Sequence, residues 1–312
     1  MSTTPHARVD AHAESCEPVI ELLICTRNRS RQLEKCLDSL RHLNPGPPWA
    51  LVVVDNASTD DTAERVRRFA SSATFEVRYV REDKIGVGNA RNAALKAARA
   101  EVLAFTDDDC YPQPDFLERV FDCFSEDPEI AFLGGRILLH DAADAPVTIQ
   151  LRSERIRIAA RSFVPAGLIH GANLSIRRSR VIAVGGFDPW FGTGSLFPAE
   201  DVELIARLSA AGWTGVYDPR PVVSHHHGRK QEDLAQLWEA YDRGRGAYYA
   251  KCLLNSQISL VYLRNWYWSI RRSKLNQSWP ELRSAIEYFW RELWDRRRRF
   301  DVLQEDRPLT DA

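Results

Sequence analysis

The segment Glu101-Val-Leu-Ala-Phe-Thr106, running straight into Asp107, Asp108 and Asp109, is the most informative in the chain. Its apolar, β-prone run reads as a buried strand. Three carboxylates follow with no basic residue among them, and Cys110-Tyr111-Pro112 is expected to turn the chain away. Like charges this close repel, so the folded protein must neutralise them. A divalent cation is one way, since carboxylate oxygens suit Mn²⁺ and Mg²⁺, which commonly complete their shell with substrate phosphates. In an open α/β sheet, ligands bind just beyond the carboxyl ends of the strands, where these aspartates fall. The same residues also suit a solvated acidic turn capping the helix that begins near Pro114.

Upstream of this segment the pattern alternates. Val19–Cys25 reads as a central strand, followed by the polar loop Thr26–Ser30 and a helix from Arg31 to about Leu43. Ala50–Val54 is a second strand ending at Asp55, with helix Ala63–Ala70 behind it; Phe75–Val80 is a third, followed by helix Asn89–Ala100. Strands and helices alternating over short connections predict an α/β fold with a mostly parallel, doubly wound sheet. Asp55 and the Asp107–Asp109 run then share one rim. Asp55 is free either to cap a helix or to accept hydrogen bonds from a ribose or base.

The loop Gly86-Val-Gly88-Asn-Ala-Arg91 starts like a dinucleotide fingerprint but has Arg91 at the third glycine position and lies after the third strand. It suits a flexible approach to a helix N-terminus facing an anion, with Arg91 available for phosphate. Downstream, a helix is expected over about Asp115–Phe124, strand segments over Ile130–Leu133 and Ile137–Leu139, an irregular excursion over 140–165, and a strand pair over Leu168–Ile176. Trp190-Phe-Gly192-Thr-Gly194 reads as a mobile loop or sugar platform. Glu200 and Asp201 open the next helix, where acidic residues are favoured by the helix dipole or else serve as a general base. Short strands at Trp213–Tyr217 and Pro221–Val223 end in His225-His226-His227. In extended chain His225 and His227 share a face and His226 does not.

The 312-residue chain has a formal net charge of -1 and 27% charged residues, which gives no reason to expect nucleic-acid binding. Its six cysteines show no metal or disulfide spacing and favour reduced thiols. With no signal peptide and no apolar run of about 20 residues, the expected location is the cytoplasm, free or peripheral at the inner face of the membrane. Residues 1–17 read as a disordered tail and 231–312 as a helical region rich in Trp, Tyr and Arg. Such helices suit the membrane interface, a homodimer, or docking on the main domain.

The ordered motifs Ile24-Cys-Thr-Arg-Asn28, Val54-Asp-Asn-Ala-Ser-Thr-Asp60, Gly88-Asn-Ala-Arg-Asn92, Phe105-Thr-Asp-Asp-Asp109, Gly185-Gly-Phe-Asp188 and Glu200-Asp201 resemble the family-two glycosyltransferases of GT-A fold. The resemblance covers roughly residues 18–228, giving a GT-A domain over 18–230, and leaves the helical region outside. It implies an inverting, metal-dependent enzyme that moves a sugar from a nucleoside-diphosphate donor, a UDP-sugar first among them, to a saccharide, lipid-linked or small-molecule acceptor. It further implies that Thr26, Arg29, Asp55, Gly88, Arg91, Asp107 and Asp108 attend the nucleotide. Asp109 with His225 or His227 would hold Mn²⁺ or Mg²⁺, Asp201 beside Glu200 would be the catalytic base, and Trp190 and Gly192 would touch sugar. A nucleotidyltransferase is disfavoured because Cys25–Ser30 holds no glycine for a triphosphate. A non-catalytic sugar-binding protein of the same fold remains the other alternative.

Overall fold

A computed structural model describes residues 17–272 and 275–305; the expected N-terminal tail lies, but for Glu17, outside the described residues. Strands β1 (Ile20–Thr26), β2 (Trp49–Asn56), β3 (Glu76–Glu82) and β4 (Val102–Asp107) run parallel in the order β3-β2-β1-β4. They alternate with helices α1 (Ser30–Leu40), α2 (Thr62–Ala70) and α3 (Val87–Ala97). Alternate side chains of each strand feed opposite faces. Leu22, Ile24, Leu51 and Val53 enter one core with α1 and α2, whereas Leu23, Val52, Val54 and Phe105 enter a second core with α3. Both faces are therefore covered, which is why these strands read as continuous apolar runs.

The remaining elements are β5 (Cys110–Pro112), α4 (Phe116–Glu126), β6 (Ile130–Leu139), β7 (Ile156–Ile158), β8 (Leu174–Arg177), α5 (Arg178–Ala183), α6 (Glu200–Ala210) and β9 (Thr214–His225). They complete a nine-stranded sheet in the order β3-β2-β1-β4-β8-β6-β9-β5, with β7 pairing β9 from Gly215 to Tyr217 on the edge away from β6. Three local expectations change. The pair expected over Leu168–Ile176 is a 3₁₀ turn, Gly171–Asn173, feeding one strand, because β8 fills the single antiparallel slot between β4 and β6. The two strands expected around Pro221 are one: the ladder slips between Gly134/Tyr217 and Arg136/Val222, a bulge that absorbs Pro219 and Pro221. Cys110–Pro112 does not leave the sheet but pairs antiparallel with the end of β9.

Beyond β9, a 3₁₀ turn leads to α7 (Leu234–Leu253), α8 (Ser259–Arg272) and α9 (Leu275–Glu305). Ala247, Tyr248, Tyr262, Trp266 and Tyr288 join the core that holds Leu204 and Ile205 of α6, so the helical region and the sheet share one apolar interior. Two glycines set how closely α7 approaches its neighbours. A Cβ on Gly244 would lie 2.3 Å from the Pro198 carbonyl oxygen, and one on Gly246 only 1.9 Å from that of Glu281. No helix among the described residues is long and apolar enough to cross a membrane.

Candidate active site

Parallel register brings Thr26 opposite Asp55 and Cys25 opposite Asp107 at one rim of the sheet. A cleft of about 840 Å³ opens there, walled by the segments around Val147, Gly194 and Glu200 and by α7. The short β5 sets the position of the acidic run. Cys110 pairs with His225, so Asp109 arrives against the end of β9. His225 Nε2 lies 3.2 Å from Asp109 Oδ1, while its Nδ1 faces the Thr148 hydroxyl and carbonyl, each at 3.3 Å.

Arg29 closes the acidic group from the opposite side. Its guanidinium donates to Asp109 and lies 3.3 Å from Asp108 Oδ1, and the Thr26 hydroxyl donates to Asp108 at 2.6 Å. Burial pushes the Asp108 carboxyl up to about 7 against the pull of Arg29 and Thr26. Burial works the same way on Asp109, but His225 and Arg29 outweigh it and hold that carboxyl at about 2. Burial lowers His225, and its bond to Asp109 with the charges of Asp109 and Asp107 turns the net shift upward.

One ligand atom each from Asp107, Asp109, Cys110 and His225 lies within 4.8 Å of the others. Burial keeps the Cys110 thiol protonated, far above its ordinary range, leaving two carboxylates and an imidazole as donors. That set is able to hold Mn²⁺ or Mg²⁺. Asp109 Oδ1 is buried and meets His225 Nε2 without an aligned hydrogen bond, which leaves it lone-pair capacity for a further partner.

Across the cleft, Ala199 takes φ +98°, a conformation strained for any residue with a Cβ, and launches α6 with Glu200 and Asp201 at its first turn. Asp201 Oδ2 accepts the Gly171 backbone N–H at 2.8 Å, and Oδ1 accepts that of Val202 at 2.7 Å. Glu200 lies 3.1 Å from buried Arg91 Nη1, which has no aligned hydrogen bond, so the contact is ionic. The Arg91 guanidinium also sits over the rings of Phe105 and Phe187, at 5.6 and 5.4 Å, and within 3.8 Å of Asp107. Burial raises the Glu200 carboxyl to about 7; Arg91 opposes this and Asp201 reinforces it.

Thr26, Arg29, Arg91, Asp107, Asp108 and Asp109 thus meet in one cleft, joined by Glu200, Asp201 and His225. Five expected residues do not line it. Asp55 is only 1% exposed, its carboxylate taken by Ser58 N–H, the Tyr79 hydroxyl and Arg81. Gly88 is a packing position, where a Cβ would come within 2.9 Å of the Asp188 carbonyl oxygen. Trp190 stands edge-on to Tyr288 at 6.0 Å, on the core side of its loop. Gly192, at φ +106°, packs against Val87 and Glu200 instead of presenting a surface. His227 stands edge-on to His225 at 5.2 Å, outside the lining, its Nδ1 accepting the Arg229 backbone N–H at 3.0 Å.

Other lining residues escaped the sequence. Trp238, Tyr241 and Arg245 come from α7, and Arg229 precedes it with a buried Nη1 that has no hydrogen-bond partner among the described residues. An aromatic pair three residues apart on a helix was visible, but not that the helix folds back over the cleft.

The family described as Glycosyl transferase family 2 matches residues 21–180, and Glycosyl transferase family group 2 matches 102–291. Glycosyltransferase AglE of Haloferax volcanii is 25% identical over 230 residues, 73% of each chain. The pre-mycofactocin glycosyltransferase of Mycobacterium tuberculosis is 28% identical over 222 residues, covering 69% of this chain and 44% of that one. Among solved structures, the mannosyltransferase PcManGT from Pyrobaculum calidifontis, in complex with GDP-Man and Mn²⁺, superposes with a TM-score of 0.64 at 20% identity over 88% of this chain and 74% of that one. The TarS 1–349 structure from S. aureus gives 0.61 at 18% identity over 86% and 80%. Those likenesses speak to the GT-A fold. With the family match extending over half the chain, this protein belongs to glycosyl transferase family 2 and is a glycosyltransferase.

Proposed function

We propose that the chain is an inverting, metal-dependent glycosyltransferase moving a sugar from a nucleoside-diphosphate donor to a hydroxyl acceptor. The observation that carries this reading is the convergence of Asp107, Asp109 and His225 ligand atoms within 4.8 Å of one another in the cleft that also holds Asp201. PcManGT, a neighbour in fold, is complexed with GDP-Man and Mn²⁺, and TarS with UDP-GlcNAc, which supports a sugar nucleotide and a divalent ion here.

Asp107, Asp109 and His225 would hold the ion, which when bound supplies Lewis-acid stabilisation of the charge growing on the departing diphosphate. Arg29 moves its charge from Asp108 and Asp109 to the nucleotide side once those carboxylates are otherwise neutralised. Arg229, with no carboxylate partner among the described residues, adds positive charge at the same mouth. Asp201 takes the proton of the acceptor hydroxyl as it attacks the anomeric carbon. The Gly171 N–H holds Oδ2 in place, and the oxygen keeps lone pairs free to receive that proton. A single displacement inverts the anomeric configuration. Trp238 and Tyr241, edge-on at 5.8 Å, offer a ring surface for a saccharide or other hydroxyl acceptor.

The test is turnover by Asp201→Asn. Loss of about 10²–10⁴-fold in kcat with the donor Kd unchanged supports the assignment. A product retaining the donor's anomeric configuration, read by proton NMR, contradicts it.

A further inference from the structure

Helices α8 and α9 each have two apolar faces, and only one of each is used. In α8, Ile258 just before its start, Tyr262 and Trp266, spaced four apart, bury themselves in the shared core. Leu260, Leu263, Tyr267 and Trp268 fall on another face at spacings of 3, 7 and 8, and are 81, 52, 50 and 50% exposed. Arg264 and Arg271 lie on that same face and Arg272 beside it, and α8 carries no acidic residue. In α9, Ala285 and Tyr288 face inward, whereas Trp279, Ile286 and Trp290 recur along an exposed face with Arg283.

Single exposed apolar residues are ordinary; rows of exposed Trp, Tyr and Leu interleaved with arginine are not. A second copy of the chain is a poor cover for α8. Twofold pairing would lay its arginines against one another with no carboxylate on the helix to receive them. An anionic lipid surface satisfies both features at once: headgroups take the guanidinium charges and the acyl boundary takes the leucines and rings. The helices are too polar to span, which fits lying in the interface.

We propose that the exposed face of α8, extended by that of α9, docks the enzyme on an anionic bilayer surface. The chemistry needed is a negatively charged headgroup layer over hydrocarbon, and no donor nucleotide enters the contact. This proposal goes beyond the glycosyltransferase reading and can fail without it.

The experiment is co-sedimentation of the full chain with neutral phosphatidylcholine vesicles and with vesicles containing one-third phosphatidylglycerol. Salt-sensitive binding to the anionic vesicles is expected, with tryptophan quenching by brominated lipid. Replacing Arg264, Arg271 and Arg272 by Gln together should weaken it on the order of 100-fold, about fivefold for each charge. Trp268→Ser with Leu263→Ser should weaken it further. If that pair unfolds the protein, as thermal melting would reveal, the exposed arginine set carries the test alone. No binding to anionic vesicles at low salt overturns the proposal. So does a sedimenting dimer that Trp268→Glu converts to monomer while vesicle binding stays unchanged, which would assign the face to a second copy.

Discussion

Glu200 and Ala199 show what a single position does here. Glu200 is 14% exposed at its side chain, and burial lifts its carboxyl from the ordinary 4.5 to about 7. The folded state therefore keeps a proton that the unfolded chain has released between those two pH values. By linkage, this group's contribution to stability is fully present below about 4.5 and falls as pH rises to about 7, by roughly 3 kcal/mol. Glu200→Gln should make that part of the stability curve shallower, seen as a Tm that declines less from pH 5 to 7 while the share from raised Asp108 remains; an unchanged slope would locate the titration elsewhere. Ala199 stores strain at φ +98°. Ala199→Gly should raise stability by about 1 kcal/mol in denaturant melts and lower kcat, because the backbone that aims Glu200 and Asp201 is no longer held. Residue identity alone does not reveal such things. The partners of Asp55 were hidden in the same way: Tyr79 and Arg81 lie on β3 and reach it only through strand register.

At the scale of elements, α6 and α7 act as one support. Lys251 of α7 reaches Glu203 of α6 at 2.6 Å and Asp188 at 2.5 Å, and Arg207 holds Glu203 from the other side. Glu203 is 1% exposed, so Lys251→Met leaves it under-compensated and should cost about 3 kcal/mol, measured by urea unfolding; a cost under about 1 would mean Arg207 suffices. Gly246→Ala should be at least as damaging, since its Cβ would meet Glu281 backbone and not a side chain that can move aside. Gly244→Ala presses on Pro198, next to strained Ala199, and should lower kcat more than stability, read by comparing turnover with Tm. The strand–helix alternation up to β4 was legible because burial on both faces leaves an unbroken apolar code. β5 was not, being three residues whose strand character comes entirely from β9. The glycines of α7 were equally silent, because the atoms they make room for lie dozens of residues away.

On the scale of the whole molecule, one rim gathers what the chain supplies at distant points. Thr26, Asp109, Asp201 and His225 come from four segments, and the sheet order makes them neighbours. The acidic loop and the Glu200–Asp201 pair were legible as chemistry; the closing wall from α7 was not, because helical periodicity says which face is apolar but not what it covers. That wall makes the helical region part of the catalytic unit in our account, and not a detachable appendage to residues 18–230. The most direct test of that unit is calorimetric titration of uridine and guanosine diphosphates into the native chain and Asp109→Ala, with and without Mn²⁺. The account predicts binding of at least one nucleotide that requires Mn²⁺ and disappears in the variant. Binding of equal strength without the ion and without Asp109 would contradict it.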